Sequence, residues 1–316
     1  MIYLDTKIAK RIEEKLNKLN DLSPLPKSAL KKLQDHLRIE MTYNSNAIEG
    51  NSLTLKETAL VINEGITVKG KPLKDHLEAK DHIMALDYLC DLVENGKNHT
   101  ISEHLIRSIH QIIMKDTDKQ WAGVYRNSNA IITGADYNPT DALDISHKMK
   151  ELINWIKINK KKFHIIELSA LLHHKLVFIH PFFDGNGRTA RIIMNLFFLQ
   201  YGFPLVLILK NDRKKYYSVL SQADKENYKP LVQFIAQSVE RSLDLYLKIL
   251  TPASKKRENY YILSDLAKKF PYSSKYLNLL IRQGKLEAHK EGRNWVSSDD
   301  AIRRYIKSRE RKRKIN

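Results

Sequence analysis

The chain has 316 residues, 42% hydrophobic and 28% charged, an ordinary globular composition with room for one large or two modest domains. No apolar run approaches the roughly 18 to 20 residues of a bilayer span, the N-terminal Met-Ile-Tyr-Leu-Asp-Thr-Lys lacks a signal-peptide core, and the single cysteine, Cys90, cannot form an intrachain disulfide; a cytoplasmic protein with no membrane partner is expected. The net charge of +18 is uneven, since residues 251–316 hold 18 Lys/Arg against 7 Asp/Glu, which directs that segment toward an acidic partner, most simply nucleic acid.

Residues 5–20 and 26–41 read as amphipathic helices separated by prolines that interrupt the helical period. Ser45-Asn-Ala-Ile-Glu49-Gly50 follows as a short helical turn with a glycine C-cap, Ser45 and Glu49 sharing a face. Helical spacing continues over 54–63 and over 75–95, where Leu77, Ile83, Leu86, Leu89 and Leu92 form the apolar stripe and Cys90 belongs to the core. Between them, residues 65–72 approach a P-loop, but Pro72 stands where Ser/Thr would bind metal and no strand precedes, so the segment is read as a loop. A helix over 102–115 leads through Gly123-Val-Tyr125-Arg126 to Ala130–Pro139, whose β-prone runs around Gly134 make it the best hairpin candidate. Residues 140–160 and 164–179 are helical again. His173, His174 and His180 lack the spacing and the acidic partner of a zinc site.

The next stretch, His180-Pro-Phe-Phe-Asp184-Gly-Asn-Gly-Arg188-Thr-Ala-Arg191, gathers a different chemistry. Gly185 and Gly187 let backbone N–H groups approach an anion, and the apolar run Ile192–Leu199 reads as a helix whose positive end faces it. Arg188 and Arg191 project to one side of that helix and can neutralise phosphate oxygens. Asp184 is a hard oxygen ligand suited to Mg2+, and His180 can accept a proton near neutral pH. Asp-Gly-Asn-Gly alone would be a turn, and two arginines alone a solvated face; the twelve residues together read as a phosphate-handling site.

Every fixed position of the string resembles the Fic-family signature, His-x-Phe-x-Asp/Glu-Gly-Asn-Gly-Arg-x-x-Arg. The resemblance implies transfer of AMP from ATP to a Tyr, Ser or Thr hydroxyl of a protein, another one or the chain itself, with His180 as base. Asp184 would hold Mg2+, for which Mn2+ could substitute. Asp184, Gly185, Asn186, Gly187, Arg188, Thr189, Ala190 and Arg191 would bind the triphosphate. Ser45–Gly50 resembles the family's inhibitory motif, with Glu49 reaching Arg191 and blocking the γ-phosphate site. The hairpin would be the flap that pairs with an extended target segment, placing Thr133, Gly134, Ala135 and Asp136 beside the nucleotide. Removal of AMP, with Glu49 orienting a water, is a variant that the residues do not separate from transfer. A regulatory dimer is common in the family, and no residue here speaks to it.

A helix over 187–201 follows, then one over 212–224, where Tyr216 and Asp224 resemble the family's nucleoside contacts and equally fit a helix surface with a core aromatic. Residues 229–250 form a last amphipathic helix, and a polar linker with Pro252 marks a boundary. Beyond it, 262–270 and 273–282 read as two short helices, and 286–290 with 293–297 as a two-stranded wing around Glu291-Gly292. This resembles a winged helix-turn-helix, Lys275, Asn278 and Arg293 facing DNA while Leu277, Leu280 and Ile281 fill the core; such modules also bind proteins. The tail Arg309–Lys314 reads as phosphate contact or disordered solubiliser. The expectation is a mainly α protein, a Fic-type helical core with a short β-hairpin flap plus a small C-terminal winged helix-turn-helix. Its expected parts are 1–100, 101–250 and 251–316. A second reading, from another class, is a DNA-binding regulator that uses the Fic-like part as a nucleotide sensor.

Overall fold

The computed structural model describes residues 2–22, 27–94, 100–131, 137–251 and 259–313. In chain order the helices are α1 Thr6–Asn20, α2 Lys27–Ile48, α3 Leu55–Glu64, α4 Leu73–Glu94, α5 Glu103–Ile113, α6 Ile145–Asn159, α7 Ile165–Ile179, α8 Asn186–Gln200, α9 Arg213–Asp224 and α10 Lys229–Leu250. The C-terminal elements are β1 Tyr260–Ile262, α11 Leu263–Lys269, α12 Ser274–Arg282, β2 His289–Glu291, β3 Asn294–Ser298 and α13 Asp299–Arg313. The fold is mainly α, as the apolar periodicity predicts. None of the helices among the described residues is long and apolar enough to cross a membrane. Contacts divide the chain into two units, Met1–Leu4 with Lys32–Ile235 and Asp5–Lys31 with Ala236–Asn316, a grouping that crosses the sequence-derived boundaries at 100 and 250.

In the first unit α8 is buried almost all round, with Ile192, Ile193, Met194, Leu196, Phe197 and Phe198 each at most 3% exposed, the pattern of a helix enclosed by others. It packs against α4, α5 and α7, and α7 joins it through the loop 180–185, so the loop inherits the rigidity of two core helices. Local chemistry sets the helix ends: Thr54 and Glu57 form a capping box at α3, Ser102 caps α5, and His164 with Glu167 caps α7. The same Glu167 is fully buried and its Oε1 accepts the N–H groups of Ile2, Tyr3 and Leu4 at 2.6–2.9 Å.

Three details differ from expectation. The helix predicted over 26–41 continues to Ile48, so Ser45 lies in its last turns and is not in a separate turn; only Glu49 and Gly50 leave the helix, Gly50 at φ 106°. The helix predicted from 140 begins at Ile145, after a 3-10 turn over Ala142–Asp144 capped by Asp141. Of the expected hairpin, residues 132–136 lie outside the described residues, and its described ends carry no strand.

The second unit has its own core of Leu263, Leu266, Leu277, Leu280, Ile281, Leu286, Ala288, Ala301 and Ile302. Its antiparallel sheet runs β1-β3-β2, with Ile262 opposite Val296 and His289 on the other side of Val296. Gly292, at φ 60°, turns the β2–β3 hairpin. In α1, Arg11 and Lys15 pair with buried Glu240 of α10 at 2.8 and 3.0 Å, and Lys15 with Asp244 at 2.7 Å; Arg11 Nη1 also donates to the Gly284 carbonyl at 3.0 Å and Asp244 meets His289 at 3.3 Å, contacts that tie α1 and the part of α10 from Ala236 on to the C-terminal elements. The proposed linker residues 252–258 and Lys314 lie outside the described residues, while the basic residues from Arg309 to Arg313 continue helix α13.

Candidate active site

The loop between α7 and α8 is fixed from several sides. His180, the C-cap of α7, adopts the left-handed conformation at φ 51°, ψ 59°, rare for a side chain with a Cβ and sustained only where the surroundings enforce it. Asn186 closes the loop on itself: its Oδ1 accepts the Phe182 N–H at 3.0 Å and its Nδ2 donates to the Phe182 carbonyl at 2.8 Å. His110 of α5 stacks flat on Phe182, centroids 3.6 Å apart. Its Nδ1 accepts the Gly123 N–H at 2.9 Å, so Nε2 carries the proton and donates to the Asp184 carbonyl at 2.9 Å. Burial pushes the His110 pKa down to about 4, with Arg188 adding to the effect, so the clamp is uncharged at neutral pH. A Cβ on Gly185, at φ 75°, would lie 2.9 Å from Met114 Sδ and 3.3 Å from His110 Nε2; only glycine fits.

The charges are arranged as carboxylates against arginines. Asp184, half exposed, contacts Arg188 Nη2 at 3.2 Å through Oδ1 and Lys74 Nζ of α4 at 3.4 Å through Oδ2. Burial opposes its charge, but Arg188, the Gly185 N–H and Lys74 hold its carboxyl below the usual range. Arg188, 1% exposed, also meets Glu78 Oε1 of α4 at 3.3 Å. Glu78 in turn accepts from Asn51 at 2.9 Å, just past the end of α2. Arg191, equally buried, donates to Glu49 Oε1 at 2.7 Å, to Ser45 Oγ at 2.9 Å and to the Ser45 carbonyl at 2.9 Å. Burial works against its charge, yet Glu49 and Tyr216 hold its pKa above the arginine norm. The Glu49 carboxylate lies against Gly187, where any Cβ would collide with Oε1. The Glu49 side chain is 32% exposed, so the pair is shielded on one side only.

The structure therefore brings together Ser45, Glu49, Asp184, Gly187, Arg188 and Arg191, with Gly50 just beyond. Thr189 and Ala190 are buried in the first turns of α8, the Thr189 N–H bonded to the Gly185 carbonyl at 2.9 Å. Tyr216 is 1% exposed and shares a 2.7 Å hydrogen bond with His173 Nε2. Its neighbour Tyr217 is the half-exposed aromatic, its hydroxyl donating to Glu49 Oε2 at 3.4 Å. Asp224 bonds His174 Nε2 at 2.9 Å and lines a cavity of about 400 Å³ with Trp155, Phe178, Lys175 and Tyr228. Thr133, Gly134, Ala135 and Asp136 lie outside the described residues.

Sequence reading missed His110, Lys74, Glu78 and Tyr217. In α4 the buried polar residues Asp75, His76, Glu78, Asp81 and His82 fall between the apolar positions, where spacing alone reads a solvated face. For an anion the site offers the Gly185–Gly187 backbone and Arg188 Nε, a buried donor that makes no hydrogen bond among the described residues. For a divalent cation it offers Asp184. Among the described residues no group of three His, Cys, Asp or Glu could hold a metal, so Mg2+ fits here only with phosphate oxygens and water completing its shell.

Residues 100–198 match the model of the Fic/DOC family. A protein adenylyltransferase Fic from Nematostella vectensis is 35% identical over 250 residues, 78% of this chain and 57% of that protein. Among solved structures, a Fic domain containing signaling protein from Bacteroides thetaiotaomicron is similar at a TM-score of 0.71 and 28% identity, covering 79% of this chain and 99% of that one. Fic-1 from C. elegans is similar at 0.68 and 30% identity, over 76% and 71%. The fold and the loop define a mainly helical protein of the Fic type, and the chain belongs to the Fic family. It spans about half the length of the curated relatives it matches.

Proposed function

We propose that the chain is a protein adenylyltransferase, transferring AMP from ATP to a Tyr, Ser or Thr hydroxyl of a protein, and that Glu49 restrains it. The target hydroxyl oxygen attacks the α-phosphorus, the bond from that phosphorus to the bridging oxygen breaks, and pyrophosphate leaves as His180 takes the hydroxyl proton. Burial and Arg126 keep the His180 pKa below the ordinary histidine value, against the opposing pull of Val177, Glu49 and Asp184, which keeps the base unprotonated at neutral pH. Arg188, Arg191 and the loop amides neutralise the triphosphate. When bound, Mg2+ would be held by Asp184 and would supply charge neutralisation at the phosphates. The nucleoside is assigned to the cavity lined by Asp224.

The observation that carries this reading is the 2.7 Å Glu49–Arg191 ion pair over Gly187. The carboxylate occupies one of the two arginines that the triphosphate needs and repels its phosphates. The relatives' name, protein adenylyltransferase Fic, supports the activity. Incubating the protein with ATP labelled at the α- or the γ-phosphate, with Mg2+ and cell extract, tests it: α-label should reach protein and γ-label should not. Covalent γ-label would indicate phosphoryl transfer and overturn the reading.

We also propose that residues 259–313, with two short helices, a hairpin and exposed Lys275 and Arg293, act as a winged helix-turn-helix that contacts nucleic-acid phosphates. Affinity for duplex DNA should then fall steeply with salt; salt-independent or absent binding would point to a protein partner.

A further inference from the structure

Arg126 sits outside the twelve-residue loop, on the segment that leads toward the expected flap. It is 2% exposed, and its side chain ends on carbonyl groups. Nε donates to the His180 carbonyl at 2.9 Å, Nη1 donates to the Ser128 carbonyl at 2.8 Å, and Nη2 donates to the Thr140 carbonyl. Its own main-chain N–H donates to the Pro181 carbonyl at 3.0 Å. One residue thus holds two consecutive carbonyls at the start of the loop and the two strands of chain, near 128 and near 140, that enclose residues 129–139. Those two strands are joined independently by Asn129, whose Nδ2 donates to Asp141 Oδ2 and whose Oδ1 accepts the Ala142 N–H, at 2.9 and 2.8 Å.

A rigid guanidinium with donors in fixed directions is suited to this task, since one planar group can fix several acceptors at once. The acceptors matter because His180 is held in the left-handed region, a conformation that needs outside support. The carbonyl that supplies this support is bonded to the same side chain that ties the base of the 129–139 segment. The three acceptors share one planar donor group, so they are expected to keep their geometry together or lose it together.

We propose that Arg126 is a positioning residue that sets His180 and the two flanking stretches at Ser128 and Thr140 as one unit, so that the base and the hydroxyl it deprotonates arrive in register. The proposal rests on the transfer reading above, because register between base and hydroxyl matters only if a hydroxyl is activated there. It differs from an arginine that binds phosphate: among the described residues the Arg126 guanidinium donates its hydrogen bonds to main-chain carbonyls, and ATP affinity should not depend on it.

The test uses the full chain carrying Glu49→Gly, with Arg126→Gln and Arg126→Lys added separately; the lysine variant keeps charge and bulk if the glutamine variant does not fold. Three readouts are compared: amide hydrogen exchange, binding of a non-hydrolysable ATP analogue, and kcat and KM for a protein target. Exchange should rise together at 127–131, 137–142 and 180–182 while α8 stays protected. Analogue affinity should stay within about twofold, whereas kcat should fall about 10- to 100-fold, the size expected from a misplaced reacting group, with Lys recovering part of it. Exchange that rises at one segment without the other, or analogue affinity that falls as far as kcat, overturns the proposal. If Glu49→Gly itself transfers no label, the transfer reading fails, and the exchange result still decides whether Arg126 couples the two segments.

Discussion

Tyr216 and His173 share a 2.7 Å hydrogen bond with both side chains buried, so a change at Tyr216 leaves His173 Nε2 short of a partner. Burial pushes the His173 pKa down to about 3, with Arg191 adding to the effect, and the neutral ring needs the hydroxyl. Tyr216→Phe should therefore lower stability by about 1–3 kcal/mol in denaturant unfolding and leave binding of an ATP analogue nearly unchanged. Loss of affinity at full stability would restore Tyr216 as a nucleoside contact. A tyrosine near the loop was legible in the sequence; that Tyr217, one position on, is the exposed member was not, because helix phase in a short polar segment is set by packing. His180 yields a second prediction at this scale. It must be neutral to act as a base, and its pKa lies below the ordinary value of about 6.5. The acid limb of the kcat/KM profile should then lie below that pH, and a limb above it would contradict the assignment.

At the scale of elements, helix α4 and strand β2 show why some of the structure was hidden. Of the apolar stripe of α4, Ile83, Leu86 and Leu89 are buried and Leu77 and Leu92 partly so, but polar residues of the helix are buried as well, because they face Arg188 and the main-chain N–H groups of neighbouring segments. A carboxylate that satisfies a buried arginine leaves no periodic trace. In the C-terminal unit, His289 of β2 lies 3.3 Å from Asp244 of α10 and 3.4 Å from Glu291, with the Tyr260 ring edge-on at 4.6 Å. Burial opposes its charge, but the two carboxylates raise its pKa above 6.5. A raised folded-state pKa stabilises the protonated form, so this contribution is complete below about pH 6.5 and is lost as pH rises through the folded value. Thermal unfolding should show the C-terminal unit melting lower at pH 8.5 than at pH 6, a difference that His289→Gln should shrink. An unchanged difference in that variant would assign the pH dependence to other groups.

Across the whole molecule, the mainly α architecture and the loop 180–191 between two helices were legible because each depends on local spacing: 3.6-residue apolar periods, two glycines, and arginines three apart. The grouping of α1 with α10 and the C-terminal elements was not, since it depends on Arg11 and Lys15 meeting Glu240, 225 or more residues away, and on Arg11 meeting the Gly284 carbonyl, 273 residues away. Glu49 lies between these cases. Its partner Arg191 is 142 residues distant, and the expectation of the pair came from family resemblance, not from any local pattern. That pair is the hinge of the functional account, which makes it the place to test. Label transfer from α-labelled ATP with Mg2+ should be compared for the natural chain, Glu49→Gly, and Glu49→Gly with His180→Ala. The account predicts weak labelling of the first, at least about 10-fold more for the second if one buried charge contact of some 1.4 kcal/mol or more is released, and none for the third. Equal labelling with and without Glu49, or labelling that survives loss of His180, would contradict it.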